Sequence, residues 1–342
     1  MSISSAGLEN PADALEPDPS ADTALEKAVA GRSPVQQAME QLRRDRVAVT
    51  CAIIIVLFVV LALLAPVITW LWGVSWKTPS GDVVLSSTDF DGLPIVGPPK
   101  GDFTWEHPLG LSPALARDNL ALWLYGARTS IGVALVATIA STIIGITVGL
   151  IGGFARGTLE TVVNWTINFF LSLPFILVAL ILAPIVIGYY GSEPGKLTVA
   201  QFASLLFVLS VFGWMPLARL IRGEVLSLRE REFVQAARVI GVPTRTILRR
   251  ELLPNLVAPI IVFFSLSMPT FVSAEAGLAY LGIGVTGYPS WGQTINDAMA
   301  ANAFNTYPLY LWAPILGVLA LVVALNLLGD AVRDAFDPKT RR

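Results

Sequence analysis

Long apolar runs alternate with polar stretches along most of this chain. Apolar residues dominate 47–72, 129–154, 162–190, 199–221, 256–284 and 309–328. A helix rises about 1.5 Å per residue and the hydrocarbon core of a bilayer is about 30 Å thick, so roughly 20 apolar residues span it. Each run is close to that length or above it. The pattern predicts an all-α integral membrane protein with six transmembrane helices. Trp70, Trp72 and Trp76 follow the first run, as an interfacial aromatic belt would. A long polar loop over 73–119 and a second over 222–255 divide the chain. Residues 1–40 are rich in Ala, Pro, Ser, Asp and Glu without apolar periodicity, which predicts a disordered acidic arm ahead of a membrane domain over 41–342. That arm is acidic and the first apolar run starts late, so it is not expected to act as a secretory signal.

Composition supports this reading. Of 342 residues, 54% are hydrophobic and 14% charged, against about 25% charged in soluble domains. One cysteine, Cys51, and one histidine, His107, exclude an internal disulfide and a Cys/His metal site. Lys and Arg crowd the N-terminal segment, the 222–255 loop and the C-terminal tail, whereas the alternate loops hold only Lys77, Lys100, Arg117 and Lys196. The positive-inside rule then places both termini and the Arg-rich loop in the cytoplasm.

That loop carries the sharpest local pattern. Ala236, Ala237 and Ile240 recur at helical spacing. Gly241 follows as a helix stop and Pro243 confirms the break, while a second helical piece over Thr244 to Leu253 ends at Pro254. Two short helices joined at a glycine would form a compact knob. In the second run Gly145 and Gly149 make a GxxxG pair suited to close helix packing.

Catalytic chemistry is sparse. Gly195-Lys196 is the nearest approach to a phosphate-binding loop, but the upstream glycine is missing and Leu197 stands where magnesium would need a hydroxyl. His107 lies in an outer loop, which excludes an intramembrane serine protease. Glu275 is the notable intramembrane charge. A buried carboxylate costs several kcal/mol unless paired or wet, so two compatible roles are expected. One is an ion pair with Arg128, and the other is a translocation path or gate with Asn168, Ser273 and Trp291.

The order Ala236-Ala237, three residues, Gly241, then Leu253-Pro254 resembles the EAA loop of ABC-importer permeases. Gln235 stands where that loop usually has its glutamate, and Glu232 lies one turn earlier. His107 to Arg128 resembles the stretch before the second helix of dipeptide and oligopeptide permeases. Leu111 and Ser112 replace its Thr-Asp, and Ala116 replaces the glycine before Arg117-Asp118. Asn164, Trp165 and Asn168 replace charges usual at the start of the third helix. Ser273 to Gly284, Pro289-Ser290-Trp291-Gly292, Gly329-Asp330 and Asp337-Pro338 continue the similarity to the C-terminus.

The resemblance implies a type I ABC importer permease fold in the cell membrane. Its coupling loop would dock on an ATP-binding subunit through Arg229, Arg231, Glu232, Gln235, Ala236, Ala237, Gly241, Leu253 and Pro254. The implied partners are a homologous B-type permease, two ATP-binding subunits that hold ATP and Mg, an extracytoplasmic solute-binding protein and a peptide substrate. The chain itself would be no enzyme, would bind no cofactor or metal and would not contact nucleic acid. Nickel-chelate, haem or glycan fragments are alternative solutes within the family. A secondary transporter would commonly show an internal repeat and several intramembrane carboxylates, and a channel a filter stretch; neither pattern is evident.

Overall fold

The computed structural model describes residues 34–78, 103–113, 116–303 and 307–337. Among them all regular structure is helical, apart from one isolated bridge between Leu111 and Asp118. Among the described residues five helices are long and apolar enough to cross a membrane, or six with a bent pair counted as one span.

The first helix, α1 (Pro34–Arg44), begins inside the segment expected to be disordered. Its sequence is amphipathic, Ala38 is buried and Arg44 pairs with Glu40 at 2.7 Å. It packs on the last helix of the bundle, and that tertiary contact supplies what its composition lacks. Asp45 then accepts hydrogen bonds from Val47 N and Ala48 N and so caps α2 (Arg46–Leu63). Pro66 has no N–H to donate, and the first span breaks at Leu64 into α2 and α3 (Ala65–Trp72).

The longest helix is α4 (Asn119–Phe154), capped by Asp118 and starting well before the predicted 129. It packs along α7 (Pro194–Leu228), the longest contact in the bundle. Gly145, Gly149 and Gly153 of α4 face Leu217, Ile221 and Val225 of α7, one glycine per turn. A Cβ on these glycines would lie 2.9, 2.7 and 2.6 Å from side-chain atoms opposite. The GxxxG pair is thus one part of a three-glycine seam, and the backbones approach because no side chain intervenes.

The third apolar run is not a straight span. It forms α5 (Thr158–Ser172) and α6 (Phe175–Tyr190), bent by 78°. Pro174 explains the bend: the residue before a proline is pushed out of the helical region, and Leu173 is extended at φ −82, ψ 130. After the Arg-rich loop, α9 (Val257–Leu278) continues into a π-helical segment, Ala279–Ile283, kinked at Gly282 with φ +83. The polar stretch between the fifth and sixth apolar runs contains a helix, α10 (Trp291–Ala300), with Ser290 as its N-cap. The last helix, α11 (Pro308–Phe336), runs past the expected end at 328 and takes in most of the predicted tail.

The main core lies where α2, α4, α7, α9, α10 and α11 meet. Trp291 is fully buried there, with its ring edge-on to Phe58 and its indole N–H donated to Trp123 O at 3.1 Å. At one end of the bundle the segment before α4 is tied down: His107 Nδ1 lies 2.7 Å from Asp118 Oδ2, and Asn119 donates to Leu109 O. Burial pushes the Asp118 carboxyl above the usual range, while the Ala121 N–H and the His107 ring hold it back.

Candidate functional site: the Arg-rich hook

At the other end, α7 emerges from the bundle and the chain forms a hook. α8 (Glu232–Val239) makes its first arm, and helical turns over 244–255, π-helical from Ile247 to Leu252, make its second. The reversal between them is a Schellman turn. Gly241 takes φ +79, its N–H donates to Arg238 O and the Val242 N–H donates to Ala237 O, both at 3.0 Å. The predicted break at Gly241 is therefore present, while Pro254 sits inside the last helical turn rather than ending it.

The hook is held by its own apolar core and by polar ties. Val234, Ile247, Leu252 and Leu256 are buried and continue the cluster that Leu217, Ile221 and Val225 begin on α7. The helix seam and the hook thus share one packed body. Arg229 Nη1 donates to Gly153 O at 3.0 Å and Ala155 O at 3.3 Å. These are last-turn carbonyls of α4, where a cation also complements the helix dipole. Arg238 lies 4.5 Å from the centroid of the Phe154 ring. Arg222 pairs with Glu160 at 3.1 Å and ties α5 to the same base.

The loop residues predicted from sequence fall into two groups. Arg229 and Gln235 belong to the base, since Gln235 Nε2 donates to Arg229 O at 3.0 Å. Arg231, Glu232, Ala236 and Pro254 are exposed, with Ala237 and Leu253 half-buried beneath them. Glu232, in the first turn of α8, supplies the carboxylate near that helix's positive end. Sequence reasoning missed the tip: Val239 and Ile240 are 86% and 78% exposed. Two apolar residues directly before a helix-stopping glycine were the available signal.

The expected gate residues do not form one site. Glu275 is 1% exposed, and the hydroxyls of Ser130 and Ser290 face its carboxyl. Its Oε2 has no hydrogen-bond partner among the described residues. The Arg128–Glu275 pair is absent, because Arg128 projects from the exposed face of α4 while Ser130, two positions on, faces inward. Trp291 lies beside this buried site, and its backbone N–H donates to Ser130 Oγ at 3.4 Å. Ser273 is exposed and donates to Pro269 O in its own helix. Asn168 Oδ1 accepts from Arg219 Nη2 at 2.7 Å, linking α5 to α7. A separate cavity of about 400 Å³ lies between α6, α7 and α9, lined by Phe175, Phe212, Pro216, Phe263, Ser267 and Thr270.

The hook lies within the part of the chain that a family match covers. Residues 145–342 match the family described as binding-protein-dependent transport system inner membrane component. Residues 33–77 match the N-terminal transmembrane domain of oligopeptide transport permease C. The dipeptide transport system permease protein DppC of Bacillus subtilis (strain 168) is 30% identical, over 91% of this chain and 87% of that protein. The oligopeptide transport system permease protein OppC of the same organism is 29% identical over 90% of each. The OppC protein of Mycobacterium bovis is 33% identical over 75% of this chain and 82% of that one. A solved structure of the MetNI methionine ABC transporter, inward facing, aligns with a TM-score of 0.49 at 19% identity, covering 63% of this chain and 96% of that chain. From its helical spans, its hook and a family match over the whole C-terminal part, this chain belongs to the binding-protein-dependent transport inner-membrane components, as a permease of the dipeptide and oligopeptide class.

Proposed function

We propose that this chain is one of two permease subunits of an ATP-driven importer of di- and oligopeptides. A homologous second permease completes the translocation path, and a solute-binding protein delivers peptide from outside. Two ATPase subunits bind and hydrolyse ATP with Mg, and the hook is the part they grip. Both termini and the hook then face the cytoplasm. The peptide assignment rests on the relatives named above, while the coupling role rests on the hook itself. Its apolar tip, Val239 and Ile240, projects from a body locked to α4 and α7.

The arrangement is a lever. Force on the tip passes through Val234 and Arg229 into the glycine seam, so α4 and α7 move with the hook as one unit. Breaks in the spans let the rest of the bundle respond: Pro174 between α5 and α6, Pro216 within α7 and Pro269 within α9 each lack a backbone donor. Pro259, in the first turn of α9, leaves that helix intact. Alternating access needs two packings of such a bundle, biased by nucleotide state. Glu275, walled in by Ser130 and Ser290, pins α9 to α4 and α10 in one of them.

The test is a Val239→Asp, Ile240→Asp double variant, reconstituted with both partner permease and ATPase subunits in liposomes. Peptide uptake and receptor-stimulated ATP hydrolysis should fall together, while the permease still inserts. Full uptake with normal stimulation in that variant would end the coupling role of the tip.

A further inference from the structure

A second cavity, of about 590 Å³, opens at the end of the bundle opposite the hook, between α4 and α7. Its upper wall carries Lys77 and Arg128 with the rings of Trp76, Tyr125 and Tyr288, and its lower wall is Gly132, Val133, Val136, Phe202 and Leu206. No carboxylate lines it. Lys77 lies 5.2 Å from the centroid of the Trp76 ring, and neither cation has a carboxylate partner among the described residues.

The depth is that of a lipid headgroup. Arg128 is about 39 Å along α4 from Phe154, at about 1.5 Å per residue, and a bilayer with its headgroups is about 40–45 Å thick. With the hook end of α4 at one surface, Arg128 reaches the headgroup zone of the other. Trp70 and Trp72, both exposed, end α3 at the same side. Below Arg128, Gly132 and Val136 follow at four-residue spacing on one face of α4. A cation therefore stands over an apolar track pointing into the membrane. A Cβ at Gly132 would meet nothing within 4 Å, so the track is open there.

We propose that this groove binds one anionic phospholipid, its phosphate between Lys77 and Arg128 and an acyl chain along Gly132 and Val136. Two cations without a carboxylate select net negative charge over the zwitterionic headgroup of phosphatidylcholine, and the apolar track selects a lipid over a free anion. The site does not depend on which solute the permease carries.

The assembled transporter, in mixed micelles with equal phosphatidylglycerol and phosphatidylcholine of the same chains, tests this. Lipid retained after washing is counted by mass spectrometry. A cation near a membrane surface is worth about a 5-fold preference for anionic lipid, so about 25-fold is expected for the pair. Lys77→Gln with Arg128→Gln should bring the ratio near one. Gly132→Leu, which fills the track and leaves both cations, should lower retention of phosphatidylglycerol while the transporter stays folded. Equal retention of the two lipids by the wild type would overturn the site. So would an unchanged preference in the double cation variant, unchanged retention of phosphatidylglycerol in Gly132→Leu, displacement of the lipid by inorganic phosphate at constant ionic strength, or a cross-link showing the partner permease seated on Gly132.

Discussion

Gly241 offers a test that separates backbone conformation from contact. Its φ of +79 is left-handed, yet a Cβ built there meets nothing within 4 Å. Any penalty for a side chain is therefore conformational. A left-handed L-residue costs about 1–2 kcal/mol, and alanine recovers about 0.5–1 kcal/mol because it restricts the unfolded chain more than glycine does. The Gly241→Ala variant should thus lose about 0.5–1 kcal/mol of hook stability. Gly241→Asn should lose less, because asparagine tolerates this region. Gly241→Val should lose about 2 kcal/mol or more, because β-branching disfavours it further. At about 1.4 kcal/mol per factor of ten, valine shifts the closed-hook population roughly 30-fold. Receptor-stimulated ATP hydrolysis and peptide uptake, measured in liposomes across Gly, Asn, Ala and Val, should decline in that order. Hydrogen exchange of the Val242 N–H, which the turn bonds to Ala237 O, should accelerate in step. A decline that follows side-chain volume, with Asn below Ala, or a valine variant equal to wild type, would refute the reasoning.

Two further outcomes test the frame around the hook. Gly149→Leu drives side-chain atoms into Ile221 and Ala218 O, where even a Cβ would lie 2.7 and 2.8 Å away; overpacking of this kind costs about 1–3 kcal/mol, so thermal unfolding in detergent should move to lower temperature, whereas Gly223→Leu, at a site with open space, should not shift it. The Asp118 carboxyl is raised by burial and held back in part by His107. A folded-state value above the unfolded one means that the folded chain holds this proton more tightly than the unfolded chain does, so stability is lost as pH rises through the folded value. His107→Ala removes one restraining interaction and should raise that value further. Hydrogen exchange over 107–122 should then be faster than wild type at pH 7.5, with the gap narrowing as pH falls toward the carboxyl's titration range; a gap independent of pH would refute the role assigned to His107.

Much of the molecule was readable from residues alone, for one physical reason. Bilayer thickness sets the length of an apolar run, so runs near 20 residues mark spans wherever they occur. Local backbone chemistry was equally readable: Gly241 reverses the hook because glycine alone takes a left-handed turn at little cost. Gly145 and Gly149 announced a close helix contact. The kink at Pro174 follows from a rule that acts on its immediate neighbour. The helix at Trp291–Ala300 hid in a polar stretch whose only local sign was the Ser290 cap.

What the tertiary structure alone decided is which faces meet. Arg128 and Glu275 lie toward the same end of the bundle, so composition made them a natural pair. Helix rotation separated them, because two residues along α4 turn the chain by about 200° at 3.6 residues per turn. Ser130 rather than Arg128 therefore faces the carboxylate, with Ser290 brought in from α10. Likewise nothing local told Arg229 to cap α4, since Gly153 lies 76 residues away. An apolar run needs only its own residues to be stable in a bilayer. A contact between runs depends on rotation and register, and those are settled only when all the helices pack at once.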